Sequence, residues 1–136
     1  MAIDQLEELS PFHSISASET SGAGTVIMSV NPAGTQPRGP QAVRVQYQGV
    51  QLATLTGTLA WQIRYSYDRG ATWVAGPSGP SLTLTTTPQL GEQMISIQPP
   101  APPSGFDCGL VSVQILGVFS GSATGTAATY RADLLH

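Results

Sequence analysis

The chain has 136 residues, enough for one domain with a real core and too few for the several four-stranded blades of a propeller. Charged residues make up 10% of it, against about 25% in ordinary soluble domains, and every base is an arginine: Arg38, Arg44, Arg64, Arg69 and Arg131. The net charge of −3 is unevenly placed: residues 1–20 hold Asp4, Glu7, Glu8 and Glu19 with no base, so there is neither a basic stripe for nucleic acid nor a polybasic patch for a membrane.

Residues 1–20 read as an N-terminal arm. In "IDQLEEL", Asp4 as N-cap and Glu7 three residues on resemble a capping box, and Ile3, Leu6 and Leu9 form a narrow apolar stripe at helical spacing. A helix this short is marginal in water and needs a surface to lie on, and Pro11 ends it. A frayed terminus is the alternative. Under the arm reading, residues 21–136 fold without it.

Beyond the arm the pattern is β. "TVIMSV" puts Val26, Met28 and Val30 on one face, and "AVRVQYQ" sets Val43, Val45 and Tyr47 against Arg44, Gln46 and Gln48. "LAWQIRYSY" aligns Leu59, Trp61, Ile63, Tyr65 and Tyr67, and "SLTLTTT" sets Leu82 and Leu84 against threonines. "QMISIQ" offers Ile95 and Ile97, "LVSVQILGVF" offers Val111, Val113 and Ile115, and "TAATYRADLL" offers Ala128, Tyr130, Ala132 and Leu134. Alternation of period two over such runs predicts strands with one buried face. The breakers "NPAGTQPRGP", "AGPSGP", "TPQLG" and "QPPAPPSG" are read as loops, the last as a stiff crossover between sheets, with a proline-motif ligand as the other reading. The expected fold is all-β, an antiparallel β-sandwich of jelly-roll or Ig-like type.

"SYDRGATW", residues 66–73, matches the Asp-box pattern Ser-x-Asp-x-Gly-x-Thr-Trp at every fixed position. Hairpin physics accounts for it without a ligand. Asp68 accepts from turn amides, Gly70 supplies a positive φ, Thr72 resumes the strand and Trp73 caps the hairpin base, with Ser66 opening the motif. Tyr67 and Trp73, beside the turn, are the candidate platform for a sugar, whereas Trp61 and Tyr65 share the apolar face and read as core.

Catalytic chemistry finds no constellation. His13 lies at the edge of the arm, His136 ends the sequence, and Cys108, the single cysteine, stands beside Asp107, whose charge would raise its pKa. No acids are spaced as a glycosidase pair or a metal cage, and no cofactor or metal is expected. Residues 1–20 show no basic, apolar stretch, so no signal peptide is expected, and there is no run of about 20 apolar residues to span a bilayer. One cysteine makes no disulfide within a chain, which fits a reducing compartment.

With its short arm, Thr/Ser/Gly-rich strands, absence of lysine and the hairpin "YSYDRGATW", the chain resembles the small β-sandwich head-decoration (cement) proteins of tailed bacteriophages. The resemblance is one of style along the length and of motif at residues 66–73. It implies a virion protein made in the host cytoplasm, on the capsid exterior, bound to the major capsid protein and bracing neighbouring capsomers, usually as a homotrimer. A tail-associated virion protein is the nearest alternative, and a carbohydrate-binding β-sandwich module is the alternative of a different class.

Overall fold

A computed structural model describes residues 6–29, 42–51, 57–97, 110–121 and 127–135. Ile3, Val30, Asp107, Cys108, His136 and the stretches "NPAGTQPRGP" and "QPPAPPSG" lie outside the described residues. Nine strands are present among them: β1 Leu6–Ile15, β2 Ala23–Ser29, β3 Ala42–Gln51, β4 Gly57–Ser66, β5 Val74–Ser78, β6 Leu82–Thr83, β7 Gln89–Ser96, β8 Leu110–Gly121 and β9 Ala127–Leu135.

The strands form two antiparallel sheets. One runs β1-β9-β3-β7; the other runs β2-β8-β4-β5, with β6 also on β4. Successive strands pass from sheet to sheet everywhere except along β4-β5-β6. This interleaving is the jelly-roll arrangement, and it decides between the two sandwich types expected from the sequence.

The alternating runs become the core. In the four-stranded sheet Val43 lies between Leu134 and Ile95, and Tyr47 between Tyr130 and Gly91. In the five-stranded sheet Trp61, Ile63 and Tyr65 face them, with Val111, Val113 and Ile115 alongside. Trp61 is wholly buried. It stacks on Tyr47 at 4.9 Å between centroids and meets the edge of Tyr130 at 5.8 Å, so three rings from two sheets lock the layers together.

The arm reading is corrected. Leu6–Ile15 is an edge strand of the four-stranded sheet, pairing from Leu6↔Leu135 to Ile15↔Ala128. Leu9 and Ile15 are buried in the same core as the rest of the chain, so the expected boundary at residue 20 does not separate two bodies. Register shifts between Glu8 and Ser10 and between Ser10 and His13 interrupt the strand. Each bulge flips the later side chains to the other face, which destroys the period-two signature and leaves a spacing that imitates a helix. Pro11 falls inside the second bulge of an edge strand, where its missing N–H deprives no partner.

Two loop readings are also corrected. Val74–Ser78, which runs into "AGPSGP", is an edge strand despite Gly76 and Pro77, and β7 begins inside "TPQLG". The expected strand "SLTLTTT" shrinks to Leu82–Thr83. Gly24 marks the corner where β2 leaves β1: its φ is +67°, and a Cβ there would lie 2.7 Å from the carbonyl carbon of Leu9. No residue with a side chain fits that approach.

Candidate functional site

The hairpin between β4 and β5 is organised by its own side chains. Ser66 is buried at the end of β4. Its Oγ accepts the Gly70 N–H at 2.8 Å and donates to Asp68 Oδ1 at 2.7 Å. Asp68 Oδ1 accepts the Thr72 N–H at 2.8 Å, and Oδ2 accepts the Thr72 hydroxyl. Arg69 and Gly70 take φ of +59° and +92°, so two successive left-handed residues turn the chain. The Thr72 hydroxyl, the Thr72 amide and the Ser66 hydroxyl, in that order, hold the Asp68 carboxyl down at about 2.

A pH test follows from that depressed value. The bonds of the carboxylate favour the folded state fully above the ordinary carboxylate pKa near 4 and are lost as pH falls through about 2. Asp68→Ala is expected to lower the melting temperature by roughly 5 °C at neutral pH. That gap should shrink as pH falls from 4 to 2, when the parent loses the same bonds. Circular dichroism melts across this range check it; a gap independent of pH contradicts the account.

Trp73, half-buried, does not stand free as a platform. The guanidinium of Arg64 lies over its ring, 4.7 Å from the centroid. Arg64 also donates to Gln114 Oε1 at 2.6 Å and to the Ser21 carbonyl at 2.8 Å. Tyr67 packs partly buried against the core. The hairpin aromatics thus pin the strand surface and the segment ahead of β2.

A second cluster gathers residues that no local pattern joins. Glu19, in the β1–β2 connection, keeps 9% of its side chain exposed. Its Oε1 lies 2.5 Å from His13 Nε2; its Oε2 accepts the Gly117 N–H at 2.6 Å and the Tyr130 hydroxyl. The Glu19 N–H in turn donates to the Gly117 carbonyl at 2.9 Å. Burial, then the hydrogen bond to Glu19, then its charge push the Tyr130 phenol well above its ordinary value. The carboxylate spends its acceptors on β1, β8 and β9 and so ties both sheets to one connection. His13, read from the sequence as an unplaced residue, belongs to this clasp. Glu19 sits in the polar stretch Ser18-Glu19-Thr20-Ser21, and nothing local in the sequence marked it as enclosed.

The outer face of the four-stranded sheet is the third feature. Asp133, 1% exposed, is covered by Arg44 at 3.1 Å and Arg131 at 3.2 Å, and Arg131 reaches Glu8 at 3.6 Å. Beside this neutralised patch a shallow groove of about 380 Å³ is lined by Phe12, Gln46, Gln48, Leu90 and Glu92 among others. Phe12 is 53%, Leu90 81% and Met94 53% exposed, and Leu90, Glu92 and Met94 alternate outward along β7. Sequence reasoning passed over all three, Phe12 because a bulge turns it outward and Leu90 because it sat in an expected loop. Of the expected docking stripe, Leu9 is core, Leu6 lies in β1 and Ile3 is outside the described residues. Among the described residues no three His, Cys, Asp or Glu gather as a metal cage, and no helix is long and apolar enough to cross a membrane.

No protein-family model matches the chain, and no curated protein matches it. Among solved structures it is similar to a chain described as "CBM4 structure and function", at 16% identity and a TM-score of 0.37, over 92% of this chain and 80% of that one. A similarity of this degree does not bear on what the present chain binds.

Proposed function

We propose that this chain is a structural virion protein, a capsid decoration protein that attaches to a protein lattice through the outer face of its four-stranded sheet. The observation that carries the reading is the distribution of exposed apolar side chains. Phe12, Leu90 and Met94 stand on that face, while its charges Glu8, Arg44, Arg131 and Asp133 neutralise one another within it. A face whose charges, Glu92 aside, are spent within it and which exposes large apolar groups loses little on desolvation and gains by being covered. The lysine-free composition acts in the same direction, since few charges keep neighbouring subunits apart.

Attachment to heads stripped of the protein tests this. Met94→Glu places a charge on the face without touching the core, and it is expected to weaken cosedimentation with heads by at least ~10-fold while leaving the melt unchanged. Attachment equal to the parent's would remove this face from the reading.

A carbohydrate-binding module is the second reading, and the groove is the observation in its favour. The ring of Phe12 lies near the amides of Gln46 and Gln48 and the carboxylate of Glu92, which suit the apolar face and the hydroxyls of a sugar. Titration with neutral polysaccharides separates the two: saturable binding lost in Phe12→Ala, with no affinity for heads, supports the module.

A further inference from the structure

We infer that the groove of the four-stranded sheet receives the β4–β5 hairpin of a second copy of this chain, with Arg69 seated against Glu92. The inference rests on the proposed reading of this face as an interface and names one occupant for part of it. It starts from how the few charges are used. Arg44 and Arg131 are held by Asp133 and Glu8, and Arg64 is held by Gln114, the Ser21 carbonyl and the Trp73 ring. Glu19 is spent on His13, Gly117 and Tyr130, and Asp68 on the turn.

Among the described residues this leaves one cation without a partner, Arg69, exposed at the hairpin tip. Among the acids whose side chains are described, and with Asp68 spent on the turn, it also leaves one without a partner of opposite charge, Glu92, which meets the Gln46 amide at 3.5 Å. No ion pair joins the two within the chain. The exposed apolar side chains divide in the same way. Leu90 and Phe12 flank Glu92 in the groove, and Val74, 45% exposed, follows the hairpin that carries Arg69. Knob and hole therefore match in charge and in apolar character.

The knob is also preorganised. Bonds from Ser66 and Asp68 hold the tip, and Arg69 is fixed at φ +59°, so docking orders little backbone. A lone exposed ion pair contributes little, so covering Leu90, Phe12 and Val74 supplies the affinity and the charges set the partner and orientation. Knob and hole lie on different surfaces, so the contact is head-to-tail and repeats into a closed ring or a growing chain. Met94, further along β7, remains uncovered for the lattice.

Charge reversal tests the pairing with purified protein. In sedimentation equilibrium the parent is expected to self-associate, and Arg69→Glu or Glu92→Arg alone should weaken association at least ~10-fold. The combined variant should return to within about threefold of the parent, because its own knob and hole again carry opposite charges. The two single variants, each monomeric alone, should associate when mixed. A parent that stays monomeric at the highest concentration, or a combined variant no better than the singles, overturns the inference. If the reversals fail in this way while Met94→Glu still abolishes attachment to heads, the second copy is ruled out and the lattice-facing role stands. If the reversals succeed and Met94→Glu has no effect, the self-contact stands and the lattice face falls.

Discussion

Deleting residues 1–20 is expected to abolish cooperative folding. The deletion removes the whole of β1 and with it Leu9 and Ile15, which are 3% and 7% exposed in the shared core. Burying two such side chains contributes about 1.5–3 kcal/mol each. The deletion also removes Glu19 and Ser18, which bond Gly117, Tyr130 and Phe119, and turns β9 from an interior strand into an edge. Against a total stability of about 5–15 kcal/mol, losses on this scale are not survivable for a small sandwich. The truncated chain should show no sigmoidal melt by circular dichroism and should expose apolar surface to a dye. A truncated protein that melts like the parent would mean that β1 is a docked strap rather than part of the fold, and the separable arm expected from the sequence would be restored.

Glu19→Ala is expected to destabilise the protein by roughly 2–5 kcal/mol, because it strips an acceptor from two enclosed donors, the Gly117 amide and the Tyr130 hydroxyl. Urea denaturation measures the loss. Tyr130→Phe removes one of those donors, so the double variant should cost less than the two single losses combined, by about 0.5–3 kcal/mol. Strict additivity would mean that the two side chains do not act through a common bond. A loss below about 0.5 kcal/mol in Glu19→Ala would mean that water takes the place of the carboxylate, and the clasp would then be a surface feature.

Both expectations lie where the sequence was silent, and the reason is the range over which each signal acts. Alternation is local. Val43 and Val45 against Arg44 and Gln46, or Leu59, Trp61, Ile63 and Tyr65 in line, report which face of a strand is buried, whichever strand pairs with it. Those residues are core in the structure, and the all-β class followed from them. The Asp box is local too: Ser66, Asp68, Gly70 and Thr72 bond within four residues of one another, so the turn could be read from eight letters.

Pairing and enclosure are not local. Glu19 meets Gly117 and Tyr130 across separations of 98 and 111 residues, and nothing near Glu19 in the chain announces either partner. The burial of Asp133 depends on Arg44, 89 residues away on the neighbouring strand, and no local pattern in the sequence marks it. In β1 the two bulges shift the faces twice, and the alternation that marks the other long strands cancels. Gly76 and Pro77 argued for a loop in β5, yet an edge strand bonded on one side tolerates both. The sequence by itself determined the strand faces, the turn and the sparse charge. The tertiary structure decided the strand order, the place of the first strand, and which charges are spent and which remain, because each of these is a relation between distant segments that exists only once the two sheets have closed on each other.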